Sequence, residues 1–204
     1  MIRRILLPLF ALACLTFAGC GEYGKVEQGR TVAFDKEKDI VTFIRCAGID
    51  DRNPQYTVLP AAVFKMPTDP NERGANPAYG LRMKLDVEKK ILTMYNPEKE
   101  AFDPLPFEIV SLDENVSIRQ QHPLVWDSQT RKARPFPVVD EEKRTVTIFS
   151  PRQSLLATVK LAEDDFNRYS VQDWDAGDEI RIYYKEPGVI LRFMNVTRTD
   201  FSKR

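Results

Sequence analysis

Few side chains in this sequence bring the chemistry that catalysis or metal binding needs. The one histidine, His122, lies in the polar run Gln120-Gln121-His122-Pro123. Zinc takes three or four His, Cys or carboxylate ligands at characteristic spacings. No such set surrounds His122, so a surface loop is expected for it. No Gly-x-Ser-x-Gly elbow occurs, and the nine glycines are scattered rather than gathered into a phosphate-cradling loop. Acids cluster at Asp50-Asp51, Asp164-Asp165 and 173–179 (DWDAGDE). The last run is the best calcium candidate, but it lacks the ligand order of a known loop, and turn and strand-start chemistry accounts for it better. No catalytic, metal or cofactor residues are expected. Trp126 and Trp174 are placed near loops, where an exposed indole could stack on a sugar or a partner side chain. They are named as possible surface contacts, beside the commoner role of anchoring a loop.

The cysteine with a specific chemical context is Cys20. Residues 1–20 read MIRRILLPLFALACLTFAGC, with Arg3 and Arg4 ahead of an apolar run from Ile5 to Phe17. That run is too short to span a bilayer as a helix, which takes about 20 residues. It has the length and flanks of a secretory h-region. Phe17-Ala18-Gly19-Cys20 resembles the lipobox of bacterial lipoproteins, in which small residues precede a cysteine that receives a diacylglycerol thioether and becomes the first residue. Phe17 departs from the usual aliphatic residue there. Cys14 is the competing cysteine, but cleavage before it would leave too short an h-region. An ordinary signal peptide and a transmembrane anchor are the alternatives. The expectation is a signal peptide over 1–19, a lipidated Cys20, and a tether over 20–30. Two or three acyl chains anchor stably where one does not. Gly21 stands where an aspartate would resemble an inner-membrane retention signal, so the outer membrane, facing the periplasm, is expected.

Cleavage before Cys20 removes Arg3 and Arg4 and leaves the 30 acids two ahead of the bases. With no basic excess to attract a phosphate backbone, nucleic acid is an unsuitable partner. Cys46 is then the one thiol left, which precludes an intrachain disulfide. Beside the apolar run 40–44, it is expected as a small buried hydrophobe.

The elements that would carry these residues are hairpins. TVAFDKEKDIVTFI (31–44), RMKLDVEKKILTMY (82–95) and FPVVDEEKRTVTIF (136–149) repeat one pattern. Each holds Asp-x-Glu-Lys, beginning at Asp35, Asp86 and Asp140, and a threonine seven residues later (Thr42, Thr93, Thr147). The aspartate suits an Asx-turn, accepting a bond from the amide two residues on. Period-two alternation then puts Val41 and Phe43, Leu92 and Met94, and Val146 and Ile148 on one face, threonines on the other. With Phe34, Leu85 and Val139 ending the outgoing strands, these are the expected core residues.

A second echo, YTVLPAAVFKMP (56–67) and FDPLPFEIVSLD (102–113), puts Leu-Pro where an edge or strand start can take it. LLATVKL (155–161) is a further strand. The chain ends on alternation at Ile180–Tyr183, a Pro187-Gly188 turn and a returning strand. One of Tyr183 and Tyr184 should be buried, because they face opposite sides. Residues 162–170 suit one short helix. The fold class expected is all-β, an antiparallel sandwich or small barrels built from repeated hairpins, with little helix. The polar run 119–135 is read as a crossing between two β units, 26–118 and 119–204.

The Asp-x-Glu-Lys hairpins and the closing WDAGDEIRIYYKEPG…LRFMNV resemble a family of uncharacterised lipoproteins of sulfate-reducing bacteria, known as a domain of unknown function. The resemblance runs from about Gly29 to Phe201. It implies no activity, and of functional residues only the lipidated cysteine. Two function classes fit. One is a non-catalytic envelope protein, held to the membrane through Cys20, whose surface docks an envelope protein or supports the cell wall. The other is a β-barrel or sandwich that binds a small ligand, lipid or glycan. An enzyme comes third.

Overall fold

The computed structural model describes residues 23–48 and 54–199. The signal segment, Cys20 and Asp50-Asp51 lie outside these residues. Thirteen strands follow along the described chain: β1 (Lys25–Asp35), β2 (Ile40–Cys46), β3 (Tyr56–Lys65), β4 (Arg82–Asp86), β5 (Ile91–Asn96), β6 (Ala101–Glu114), β7 (Trp126–Asp127), β8 (Lys132–Ala133), β9 (Val138–Asp140), β10 (Thr145–Ser150), β11 (Leu155–Leu161), β12 (Glu179–Tyr184) and β13 (Arg192–Asn195). One short helix, α1 (Glu163–Asn167), falls inside the run expected to be helical.

The strands pair antiparallel in three sheets: β13-β12-β1-β2-β3, β4-β5-β6-β11-β10-β9, and the ribbon β7-β8. None closes into a barrel, and the architecture is a sandwich. The boundary expected near residue 118 separates no sheet, because β12 pairs with β1 and β11 with β6. The tether expected over 20–30 is also shorter. β1 starts at Lys25, and Gln28 and Gly29 are already buried in it. Pairing against β12 satisfies the backbone groups of this stretch, which outweighs its polar, glycine-containing composition.

The turns explain the repeat. Asp35 Oδ1 accepts the Glu37 and Lys38 amides, at 3.1 and 3.0 Å. Asp86 and Asp140 each accept the amide three residues on, at 3.0 Å. The fifth residue of each turn, Asp39, Lys90 and Arg144, has φ between 53° and 57°. Asn96-Pro-Glu-Lys-Glu100 and Asp127-Ser-Gln-Thr-Arg131 make the same turn, with Asn96 and Asp127 as acceptors and a positive φ at the fifth residue.

Each turn aspartate is held below the usual carboxylate range. For Asp35 and Asp86 the main cause is the amide three residues on, and for Asp140 the Lys143 side chain, followed by its amide. The unfolded chain, with aspartates near pKa 3.9, binds protons more readily than the fold does. These turns therefore contribute stability that is full above about pH 4 and is lost as pH falls through the lower native values. Asn96 shows that asparagine makes the turn without the charge. Converting Asp35, Asp86 and Asp140 to asparagine together should leave the urea midpoint at pH 7 little changed. It should also shrink the drop between pH 7 and pH 3. An undiminished drop in the triple variant would assign acid sensitivity elsewhere.

Burial follows the alternation. Val41, Phe43, Leu92, Met94, Val146 and Ile148 are all 0% exposed, Leu85 is buried, and Phe34 and Val139 are half-buried against the core. Phe43 nonetheless packs in a different core from Met94 and Ile148. The five-stranded sheet curls around Val41, Phe43, Ile180, Ile182 and Phe193. Its edges approach where the Lys65 amide donates to Gly188 (2.8 Å) and the Ile190 amide to Lys65 (3.0 Å). The opposite face of the same sheet presents Val32, Ile44 and Tyr56 to the six-stranded sheet, forming the larger core. Cys46 packs half-buried there, its thiol 2.6 Å from the Gly48 carbonyl oxygen.

Pro60 lies on β3, an edge strand, as expected. Pro104 and Pro106 lie where β6 pairs with β5 alone; β11 joins only from Phe107 onward. A residue without an N–H is tolerated there, because one side of the strand has no partner to receive it.

Candidate functional site

The residues singled out by type are dispersed. His122 is half-buried in its loop, and its Nδ1 accepts the Leu124 amide at 3.4 Å. Trp126 is half-buried on β7, in the segment covering the outer face of β10 and β11. Trp174 is no surface contact. It is 1% exposed, with its ring between Phe166 and Tyr169 at centroid distances of 5.7 and 5.4 Å. A capping box between Ser170 and Asp173 fixes the single turn Val171–Trp174 and aims the indole inward. Tyr184 is the buried member of its pair, and its hydroxyl donates to Glu27 at 2.9 Å.

The acids of 173–179 spend their oxygens on the fold. Asp173 accepts from Ser170, Asp175 from the Ala176 amide, and Asp178 from Ala78, Asn195 and Arg198. The carbonyls of Asp173, Trp174 and Asp175 accept the Leu81 amide (2.9 Å), Arg82 Nε (3.1 Å) and the Arg82 amide (3.0 Å). This run is a strap that holds the start of β4. Among the described residues, no group of three or more His, Cys, Asp or Glu could hold a metal ion.

A cleft of about 420 Å³ lies between the two large sheets, and the strap holds one of its residues, Arg82, in place. Arg30 enters it from β1, Arg82 and Lys84 from β4, Tyr56 from β3 and Arg152 from the turn joining β10 to β11. Two of these cations meet carboxylates. Arg152 pairs with the buried Glu179, which also accepts from Gln28, and Lys84 pairs with Asp86 at 3.2 Å. Arg82, 9% exposed, has the Trp174 carbonyl as its hydrogen-bond acceptor. Arg30 reaches the Met83 carbonyl at 3.4 Å and lies 4.5 Å over the Tyr56 ring, a cation–π geometry.

Burial, helped by the neighbouring Arg30 and opposed by Asp175, pulls the Arg82 guanidinium down to about 10. It stays charged at neutral pH. Burial also pushes the Tyr56 phenol well above its ordinary value, with Glu179 adding to the effect and Arg30 opposing it. Sequence reading missed this site. Arg30 fell in the supposed tether, and nothing in RMKLD distinguishes a buried Arg82 from an exposed one.

A second concavity, about 470 Å³, lies on the outer face of β1, β12 and β13. Val26, Tyr183, Leu191 and Met194 give it an apolar floor, and Arg192, paired with Glu72, stands at its rim.

Residues 22–204 match the family described as Domain of unknown function (DUF4881). The chain belongs to that family. The matched span holds every strand of both large sheets, so the cleft and the groove are parts of the family's domain. No curated protein and no solved structure matches the chain.

Proposed function

We propose that the chain is a lipid-anchored lipoprotein, facing the periplasm from the outer membrane, with a non-catalytic binding or structural role in the cell envelope. The observation that carries this reading is the distance from Cys20 to the fold. β1 begins at Lys25, and five extended residues reach at most about 18 Å. A diacylated Cys20 would hold the sandwich against the bilayer surface, where an interaction role is best served. The apolar groove beside Val26 lies next to that attachment and suits contact with an envelope protein. The resemblance to lipoproteins of sulfate-reducing bacteria points the same way. A second reading, binding of a small ligand, is favoured by the cationic cleft.

Cys20→Ser should move the protein from the membrane fraction to the soluble periplasm, or leave it unprocessed. Metabolic labelling with an alkyne fatty acid should mark the wild type alone. Equal labelling of both chains would end the lipoprotein reading.

A further inference from the structure

We infer that the cleft between the two large sheets is a binding site for a small oxyanion, a phosphate or carboxylate carried on a hydroxylated molecule of about sugar size. This takes up the ligand-binding reading of the cleft and does not depend on the lipid anchor. The first ground is charge. Arg30 and Arg82 converge on one partly enclosed space, and among the described residues neither meets a carboxylate. Glu179, the buried acid nearby, is already engaged by Gln28 and Arg152. Guanidinium groups are rarely buried without an anionic partner, because desolvation penalises the bare charge.

The second ground is an orphan donor. Arg30 Nε is shielded from solvent and has no hydrogen-bond partner among the described residues. Buried donors are almost always satisfied, and each exception calls for an explanation. Arg30 lines this cleft, beside the buried Tyr56 ring. An oxyanion between Arg30 and Arg82 would give the guanidinium forks the planar or tetrahedral oxygens that they match best. It would also give Arg30 Nε the acceptor that it lacks.

The remaining wall sets the class of the body behind the anion. Thr57, Thr93, Ser150 and Gln153 supply hydroxyl and amide groups, and Phe102 supplies one aromatic face. That mixture suits a hydroxylated ring better than an acyl chain. The volume lies within the range of ordinary small-molecule sites.

The test is calorimetric titration of the protein, kept in detergent micelles, with glucose 6-phosphate, glucuronate and, as the neutral control, glucose. At least one of the two anions should bind saturably and about tenfold or more tighter than glucose. Which of them binds tighter assigns the anion as phosphate or carboxylate. Arg82→Met and Arg30→Gln should each weaken that binding about tenfold or more. If Arg82→Met fails to unfold cooperatively, Arg30→Gln, on a half-buried position, decides alone. Absence of saturable binding by both anions would overturn the site, as would an isotherm unchanged in Arg30→Gln. Failure of Cys20 lipidation would leave this result standing, so the two readings fail separately.

Discussion

Replacing Trp174 with alanine is expected to destabilise the fold by about 3–5 kcal/mol, the range for deleting a large buried aromatic side chain. The indole is 1% exposed, inclined 24° to the ring of Phe166 and edge-on to Tyr169 at 62°. Such pairs add to plain burial, because edge-to-face and offset contacts suit the ring quadrupoles. The residue also ties α1 to the strap, whose carbonyl oxygen at position 174 accepts Arg82 Nε. An alanine there leaves a cavity beside Phe166 and Tyr169 and loosens the carbonyl that accepts from Arg82. Trp174→Phe keeps a ring between Phe166 and Tyr169 and should cost clearly less than alanine. Urea unfolding followed by far-ultraviolet circular dichroism measures both. A loss below about 1 kcal/mol for the alanine variant would be the figure for an exposed contact, and would restore the surface role that the sequence suggested.

The contrast between Trp174 and the hairpins shows what a linear sequence carries. Asp35, Asp86 and Asp140 act on amides two or three residues away, so their chemistry can be read within a four-residue window. Asn96-Pro-Glu-Lys makes the same turn with an asparagine in the first position, outside the Asp-x-Glu-Lys pattern. Period-two alternation likewise identified Val41, Phe43, Leu92, Met94, Val146 and Ile148 as inward, since strand geometry alone fixes which side chains share a face. Pairing between distant strands has no such local mark. Nothing near Lys25–Arg30 announces Tyr184–Glu179 as its partner, and a polar, glycine-containing segment reads as tether until β12 is laid beside it.

The same gap hid the cleft and misplaced Trp174. Arg30, Tyr56, Arg82 and Arg152 come from four elements and meet only once both sheets are assembled. A tryptophan between two aspartates looks solvated in sequence. In the fold, Asp173 caps its turn and Asp175 faces its own loop, which leaves the ring free to turn inward. The division near residue 118 failed for a related reason. The polar connection reads as a boundary in sequence, yet residues 116–136 carry Val116, Val125 and Phe136 onto Phe149 and Leu156 as a third small core.

Asp178→Ala is expected to cost about 3–5 kcal/mol, as removing one partner from a buried charged network does. Asp178 is 6% exposed, and its Oδ2 alone accepts the Ala78 amide (2.8 Å), Asn195 Nδ2 (2.7 Å) and Arg198 Nε (2.8 Å). Its own backbone bonds Ala78 and Thr31, both at 2.9 Å. The carboxylate thus joins the long loop before β4, the start of β12 and the end of β13. Truncation strands the Ala78 amide and one N–H of the buried Asn195 side chain, and leaving donors unmade costs more than making them gains. Arg198 is half-exposed, so Arg198→Met should cost under about 1 kcal/mol, and the difference between the two variants isolates the buried donors. Next to Asp178, Gly177 has φ +68°, and a Cβ there would collide with the Thr31 carbonyl oxygen. The backbone therefore offers the carboxylate no easy retreat. Calcium gives the opposite account of these acids a direct trial. If 173–179 held the ion, adding calcium or a chelator would move the wild-type urea midpoint, and Asp178→Ala would abolish that response. With the oxygens of Asp173, Asp175 and Asp178 committed to separate donors, the midpoint should not move with either addition.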